Sequence, residues 1–333
     1  MKRFRLCLLC LLMLSLLCAC ASPSTLLRSS VTTLAPGSQG ILPEPLDPVL
    51  REASKPSALY FRMEDEAYLG SEFRYIQRTG NVSYETALIQ ALLSGPSVSG
   101  LTSLFPQGTR LLSTAVSGRT LFVTFSEELM QPYADEPVDW QEYDYWLTEC
   151  PLRRKLCMQA LTATLTENSD LDRIQVLVEQ DASETGTLRL KQNYFLDDSE
   201  DSVLAEPFTR SSAYLLTPSV SLQRILNLYI ARSWDRLYAS VADTDSQTGL
   251  AKPNYTDFLA QMDSLPRLTS FTLSGFGLSL DGSEATFAVS GQLTTQNARS
   301  YASAVHVLRL QRTDGLWKIS MPQLTAWLEE ERP

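Results

Sequence analysis

Hydrophobic positions along the 333 residues fall into runs of different period, and the changes of period mark the elements. Residues 6–19 are almost wholly apolar behind Lys2, Arg3 and Arg5. That is the charged and hydrophobic part of a secretory signal, too short to span a bilayer. Residues 21–56 keep neither a helical nor a strand period and include Pro23, Pro36, Pro43, Pro45, Pro48 and Pro56, which reads as an extended tether over 20–56. Residues 58–61 and 73–76 predict two short strands. Ser83 caps a predicted helix with apolar positions Ala87, Leu88, Ala91 and Leu92; Gly95 stands where a left-handed residue ends it, and Pro96 blocks continuation. Residues 111–116 and 120–125 alternate around Ser117-Gly118, a hairpin-turn candidate. A second helix over 152–165 and a strand over 174–178 complete a first domain, 57–196, with core order helix, strand, strand, helix, strand. Residues 197–217 shift from acidic to Ser/Pro-rich and predict a linker. In a second domain, 218–333, Ile225, Leu226, Leu228, Tyr229, Trp234 and Leu237 form a helical stripe, and 255–262 predicts a shorter helix. Long strands follow over 268–280, 284–293 and 305–312, with turn signals Asp281-Gly282 and Asp314-Gly315. The expected class is α+β.

The stretch 87–126, with its Leu92-Leu93-Ser94-Gly95-Pro96 feature, resembles the GerMN family of sporulation and germination lipoproteins, together with Leu59-Tyr60-Phe61 upstream and residues 162–178 downstream. The resemblance implies an αββαβ core similar to the ring-building motif, and a role in assembling envelope proteins. Leu17-Cys18-Ala19-Cys20 resembles the bacterial lipobox. It implies removal of 1–19, lipidation of Cys20, and anchoring by fatty acyl chains such as palmitate on the extracytoplasmic face of the cell membrane. A soluble secreted protein cut at the same place is the other reading. The second domain, ending in DGLWKIS (314–320), resembles an NTF2-like α+β cone. Such cones often hold a ligand pocket that Trp234, Tyr238, Phe276 and Trp317 would line here, although core packing accounts for the same residues equally well.

Charge narrows the partners. Loss of Lys2, Arg3 and Arg5 leaves 25 basic residues of the original 28 against 38 acidic ones, a net charge of −13, which argues against nucleic acid and polyanionic wall polymers. Of the six cysteines, Cys150 and Cys157 remain for a disulfide. A helix entered at Cys150-Pro151 would set them roughly 10 Å apart, beyond disulfide reach, so both are read as reduced core residues; a helix starting near Arg154 would permit a bridge.

Residues 127–149 are chemically the most unusual part of the chain. They carry eight acids (Glu127, Glu128, Asp135, Glu136, Asp139, Glu142, Asp144, Glu149) and five aromatics (Tyr133, Trp140, Tyr143, Tyr145, Trp146), with no Lys or Arg. One reading is a docking surface for an envelope or sporulation-complex protein, in which aromatics supply contact area and acids select a basic partner or hold sugar hydroxyls. The other is a lid whose aromatics fold back onto the domain. For catalysis the inventory is poor. His306, the one histidine, has a strand setting, and no GxSxG, HExxH, CxxC or phosphate-binding glycine loop occurs. The chain therefore reads as noncatalytic, with no cofactor or metal. A binder or hydrolase of a small ligand or peptidoglycan fragment is the alternative, and it expects an enclosed cavity holding polar groups.

Overall fold

Strand β1 (Pro56–Met63) is buried along all but its first residue, because it pairs antiparallel with β2 (Leu69–Tyr75) along one edge and meets β3 (Leu101–Thr102) at its end. Its other edge is closed by a helix: Tyr60 N–H donates to Thr164 Oγ1 (3.0 Å), and Ala58 N–H to Asn168 Oδ1 (3.1 Å). Thr164 and Asn168 lie one turn apart on α2 (Asp144–Asn168), so a polar stripe of the helix substitutes for a neighbouring strand. The computed structural model describes residues 56–77, 81–179 and 186–329; the leader, nearly all of the tether, and Cys20 lie outside the described residues.

Helix α1 (Tyr84–Leu93) begins at Ser83, whose hydroxyl accepts from Thr86 N–H, and it ends where expected, with Gly95 at φ +82°. The Gly95-Pro96 turn is clamped from β2. Arg74 donates to the carbonyls of Ala91 (3.1 Å) and Gly95 (2.9 Å), and Glu72 accepts from the backbone N–H groups of Ser97 (2.8 Å) and Val98 (3.0 Å). Strands β4 (Leu111–Ser117) and β5 (Thr120–Phe125) form the expected hairpin, but Ser117 pairs with Thr120, so the turn residues are Gly118-Arg119 rather than Ser117-Gly118. β5 pairs in parallel with β6 (Arg173–Glu179). Parallel neighbours need a crossover, and α2 supplies it. Buried residues run around the whole girth of α2 from Leu156 to Leu165 because both sheets pack on it. β7 (Thr187–Arg189), too short to be read from the sequence, closes the sheet order β4-β5-β6-β7.

Two expectations are corrected here. α2 begins at Asp144, two turns before Pro151, so residues 144–149 of the acidic stretch are helical and the proline lies inside the helix. Pro151 forfeits the intrahelical bond to the Leu147 carbonyl, and the turns before it are held by tertiary contacts such as the Arg62–Glu149 pair. Residues 197–217 are no free linker. Leu204 bridges to Lys191, Phe208 to Ile174 on β6, and Leu215 to Leu69 at the edge of β2, while Ala205 is fully buried. The strap closes exposed strand edges and is held by the backbone bonds it makes there.

The C-terminal region opens with α3 (Pro218–Ile230), α4 (Trp234–Ala239) and α5 (Tyr255–Ser264). Its sheet is centred on β9 (Glu284–Thr294), flanked by β8 (Arg267–Leu278) on one side and by β10 (Ser300–Ala302) and β11 (His306–Thr313) on the other. β12 (Leu316–Ile319) pairs with β11, and α6 (Met321–Glu329) follows. Opposite Phe287, β8 carries the extra residue of a bulge at Gly275-Phe276, with Gly275 at φ +63°, and the sheet curls there. Helices and sheet enclose a second core that includes Leu222, Ile225, Phe258, Val289, Leu308 and Trp327. This is the mixed α+β arrangement of helices against a curved antiparallel sheet that the sequence predicts.

All described residues fall in one compact unit, and the seam between the two cores is specific. Gly315, at the β11–β12 turn, accepts from Ser71 Oγ (3.0 Å). Arg312 donates to the same hydroxyl and lies over the Phe73 ring, 4.6 Å from its centroid. Leu316 belongs to the first core. Beside them Arg224 pairs with Glu66 (2.7 Å), and Arg236 pairs with Glu64 (3.2 Å) and Asp65 (3.1 Å).

Candidate functional site

The acidic aromatic stretch leaves β5 at Ser126, whose hydroxyl accepts from Arg110 N–H (3.0 Å). Leu129 then drops into the core from a 3-10 turn at Glu127–Met130, and Tyr133 donates its hydroxyl to Leu104 O (2.9 Å). A second 3-10 turn, Trp140–Glu142, packs against α2 just before that helix begins.

The basic surface that these acids call for is found within the chain. Glu149, buried on α2, receives both terminal nitrogens of Arg62 (2.5 and 3.0 Å) and the Nε of Arg153 (2.5 Å). Arg153 also holds Asp135 (2.6 Å), and Arg154 holds Glu136 (3.0 Å). Arg110 approaches Glu128 at 3.4 Å. Burial pushes the Glu149 carboxyl up, but the bonds and charge of Arg62 and Arg153 outweigh it and hold the group below the usual carboxylate range. The Arg153 bond likewise holds Asp135 low.

The five predicted aromatics divide into two sets. Arg153 stacks over Tyr133 (5.5 Å) and Trp146 (5.2 Å), and Arg154 over Tyr133 (5.6 Å). Together with half-buried Trp140, these rings form the inward-facing lid layer. Tyr143 and Tyr145 stay 50% and 58% exposed. Arg62 was not legible as part of this site; its only sequence signal is a charge inside the apolar run of β1.

Replacing Trp140 and Trp146 together with alanine should lower stability by roughly 2–4 kcal/mol, since both rings are half-buried and one covers Arg153. A double mutant melting like wild type would remove the lid layer from the account.

Cys150 and Cys157 are both buried, unbridged members of α2. Burial pushes both thiols up, Cys150 to about 11, which suits inert core residues.

The C-terminal aromatics do not gather around one cavity. Trp234 packs edge-on to Tyr229 (5.6 Å), Tyr238 against Phe258 (5.1 Å) with its hydroxyl on Pro253 O, and Trp317 lies at the seam near Arg312. Phe276 rests on Phe287 (5.3 Å) and borders a groove of about 540 Å³ between the start of α3 (Thr217, Pro218, Ser219) and the β8 bulge. No charged side chain lines that groove. A cavity of about 20 Å³ at the seam, lined by Arg224, Trp317 and Lys318 among others, has room for about one water. His306 sits in β11 opposite Val289.

Residues 58–184 match the family model described as Germane, sporulation and spore germination. Among solved structures, the chain is similar to the first GerMN domain of the sporulation protein GerM from Bacillus subtilis, over 48% of this chain and 98% of that one, at 16% identity and TM-score 0.30. The tandem GerMN domains of the same protein are similar over 73% of this chain and 62% of that one, at 14% identity and TM-score 0.29. The Δ5-3-ketosteroid isomerase from Mycobacterium sp. is similar over 31% of this chain and 89% of that one, at 16% identity and TM-score 0.25. No curated protein matches the chain.

Proposed function

We propose that this chain, whose residues 58–184 form a sporulation- and germination-associated Germane domain, is a noncatalytic envelope protein, anchored by lipid at Cys20, that holds a protein assembly together. The observation that carries the reading is the division of the acidic stretch. Asp135, Glu136 and Glu149 are satisfied by the chain's own arginines, while Tyr143 and Tyr145 are left in solvent beside Asp139, Glu142 and Asp144. Large exposed aromatics are enriched in the cores of protein contact surfaces, and polar groups belong to their rims. The alternative, a binder or hydrolase of a small ligand, would draw on the groove beside Phe276, whose lining offers no carboxylate, histidine or cysteine to act as acid, base or nucleophile.

Crosslinking in intact cells followed by pull-down tests the assembly role: a reproducible envelope-protein partner is expected, and a chain recovered alone at every crosslinker length would defeat it. The anchor is tested separately. Cys20→Ala should shift the protein from the membrane fraction to the medium or leave uncleaved precursor, and unchanged membrane retention would rule out lipidation at Cys20.

A further inference from the structure

We infer that the exposed start of α2, with Tyr143, Tyr145 and Leu147 around it and Val138 on the approach to it, takes up a basic segment of a partner protein, whose Lys or Arg side chains lie against Asp139, Glu142 and Asp144. The inference rests on the assembly reading above and names the chemistry of the partner.

Two independent features point the same way. The first is apolar exposure. Val138 is fully exposed, and Tyr143, Tyr145 and Leu147 expose about half of their surface, within a segment that the neighbouring 3-10 turn and α2 hold in place. Tyr143 is the extended N-cap of α2, and Tyr145 and Leu147 lie in its first turn, so the exposed apolar side chains surround the start of the helix. Tyrosine here offers a rigid ring at low entropic cost, and such rings are common anchors of interfaces.

The second feature is charge. Glu142 and Asp144 make no ion pair among the described residues, and Asp139 is met only by the Tyr143 hydroxyl, at 3.4 Å. Among the described residues, the arginines that hold the buried carboxylates of this stretch are already engaged. Arg62 is spent on Glu149 and on the carbonyls of Asp65 and Glu66, Arg153 on Asp135 and Glu149, and Arg154 on Glu136 and the Cys150 carbonyl. Residues 127–149 contain no Lys or Arg of their own. Three carboxylates among these exposed apolar side chains repel anionic lipid head groups and nucleic acid, and they favour a segment that alternates cationic and aliphatic side chains.

The test uses the chain from residue 21 onward and short synthetic peptides of alternating lysine and leucine, with glutamate–leucine and lysine–serine peptides as controls. The lysine–leucine peptide should bind saturably, and more weakly as salt is raised. Tyr143→Ala with Tyr145→Ala should weaken it about tenfold or more. Asp139→Asn, Glu142→Gln and Asp144→Asn together should do the same at low salt. A control triple elsewhere on the surface, Asp170→Asn, Glu200→Gln and Asp201→Asn, should leave binding unchanged. Melting temperatures of all variants are measured so that loss of fold is seen directly. Equal binding of the glutamate–leucine peptide, equal loss in both triple variants, or full binding by the tyrosine double variant overturns the inference.

In cells, a photo-crosslinking side chain at position 143 should join a protein segment rich in Lys or Arg. An adduct to an acidic or uncharged segment, or none at 143 while the pull-down still yields a partner, overturns this partner chemistry and leaves the assembly reading standing. Adducts to lipid or glycan with no pull-down partner overturn both.

Discussion

Replacing Glu149 with leucine should cost the folded chain about 3–5 kcal/mol. Both members of the Arg62–Glu149 pair are nearly inaccessible, with side-chain exposures of 4% and 5%. Removing the acid leaves Arg62 charged in a space closed by β1 and α2, with only the carbonyls of Asp65 and Glu66 as acceptors. The pair is costly to break rather than intrinsically stabilising, because bringing both ions out of water offsets much of their attraction. Adding Arg62→Met to Glu149→Leu should therefore recover most of the loss, while Arg153 keeps Asp135 as its partner. Chemical denaturation of wild type, both singles and the double mutant measures this directly. A single Glu149→Leu costing under about 1 kcal/mol would show that the pair is not dry.

The same site sets part of the acid limb of stability. The Glu149 carboxyl lies below its ordinary value in the folded chain. Its contribution is therefore complete above the unfolded value of about 4.3 and is lost as pH falls through the lower folded value. Glu149→Leu lacks that contribution, so its stability should fall less steeply than wild type between about pH 5 and 3. Asp245, buried near the start of α6 and held at about 2 by Ser320, Thr248 and Gln247 donors that outweigh its burial, acts in the same direction and should remain in both proteins.

Gly315→Val is the second large effect. An added Cβ would stand 2.2 Å from the Ser71 carbonyl oxygen and 2.9 Å from Glu72 Cα, and the residue has φ +89°. Backbone on both sides of the seam leaves nothing flexible to give way. Overpacking and left-handed strain together should cost about 3 kcal/mol or more. Gly118 is the matched control: φ is +60°, yet nothing lies within 4 Å of an added Cβ, so Gly118→Ala should show strain alone, about 1 kcal/mol. The seam also predicts a change of cooperativity. If the two cores unfold together because β12 is docked on β2, Gly315→Val should split one denaturation transition into two. Equal effects at Gly118 and Gly315 would mean that the seam contributes little to stability.

Much of this architecture was local enough to be legible in the chain. Helix α1 was readable because a capping serine, a helical apolar period and Gly95-Pro96 lie within fourteen residues and act on their own backbone. The β4–β5 hairpin and the long C-terminal strands were readable for the same reason, since alternation over neighbouring positions sets the face each side chain takes. β3, β7 and β10, of two or three residues each, were not, because no period can establish itself over so short a run.

The acidic stretch shows the limit most plainly. The sequence by itself determined that residues 127–149 carry carboxylates and aromatics without a cation, and that something must neutralise them. Only the tertiary structure decided that Arg62, 87 residues earlier on β1, would meet Glu149, that Arg153 and Arg154 would turn back on Asp135 and Glu136, and that Trp146 and Tyr133 would stack on those arginines while Tyr143 and Tyr145 faced water. The same holds for Gly315, whose turn signal is local but whose contact with Ser71 crosses 244 residues. Periodicity reports which side of an element is apolar, because that depends on near neighbours in the chain. Which charge meets which, and which turn touches which strand, depends on how the packed elements close on one another, and no local pattern carries that information.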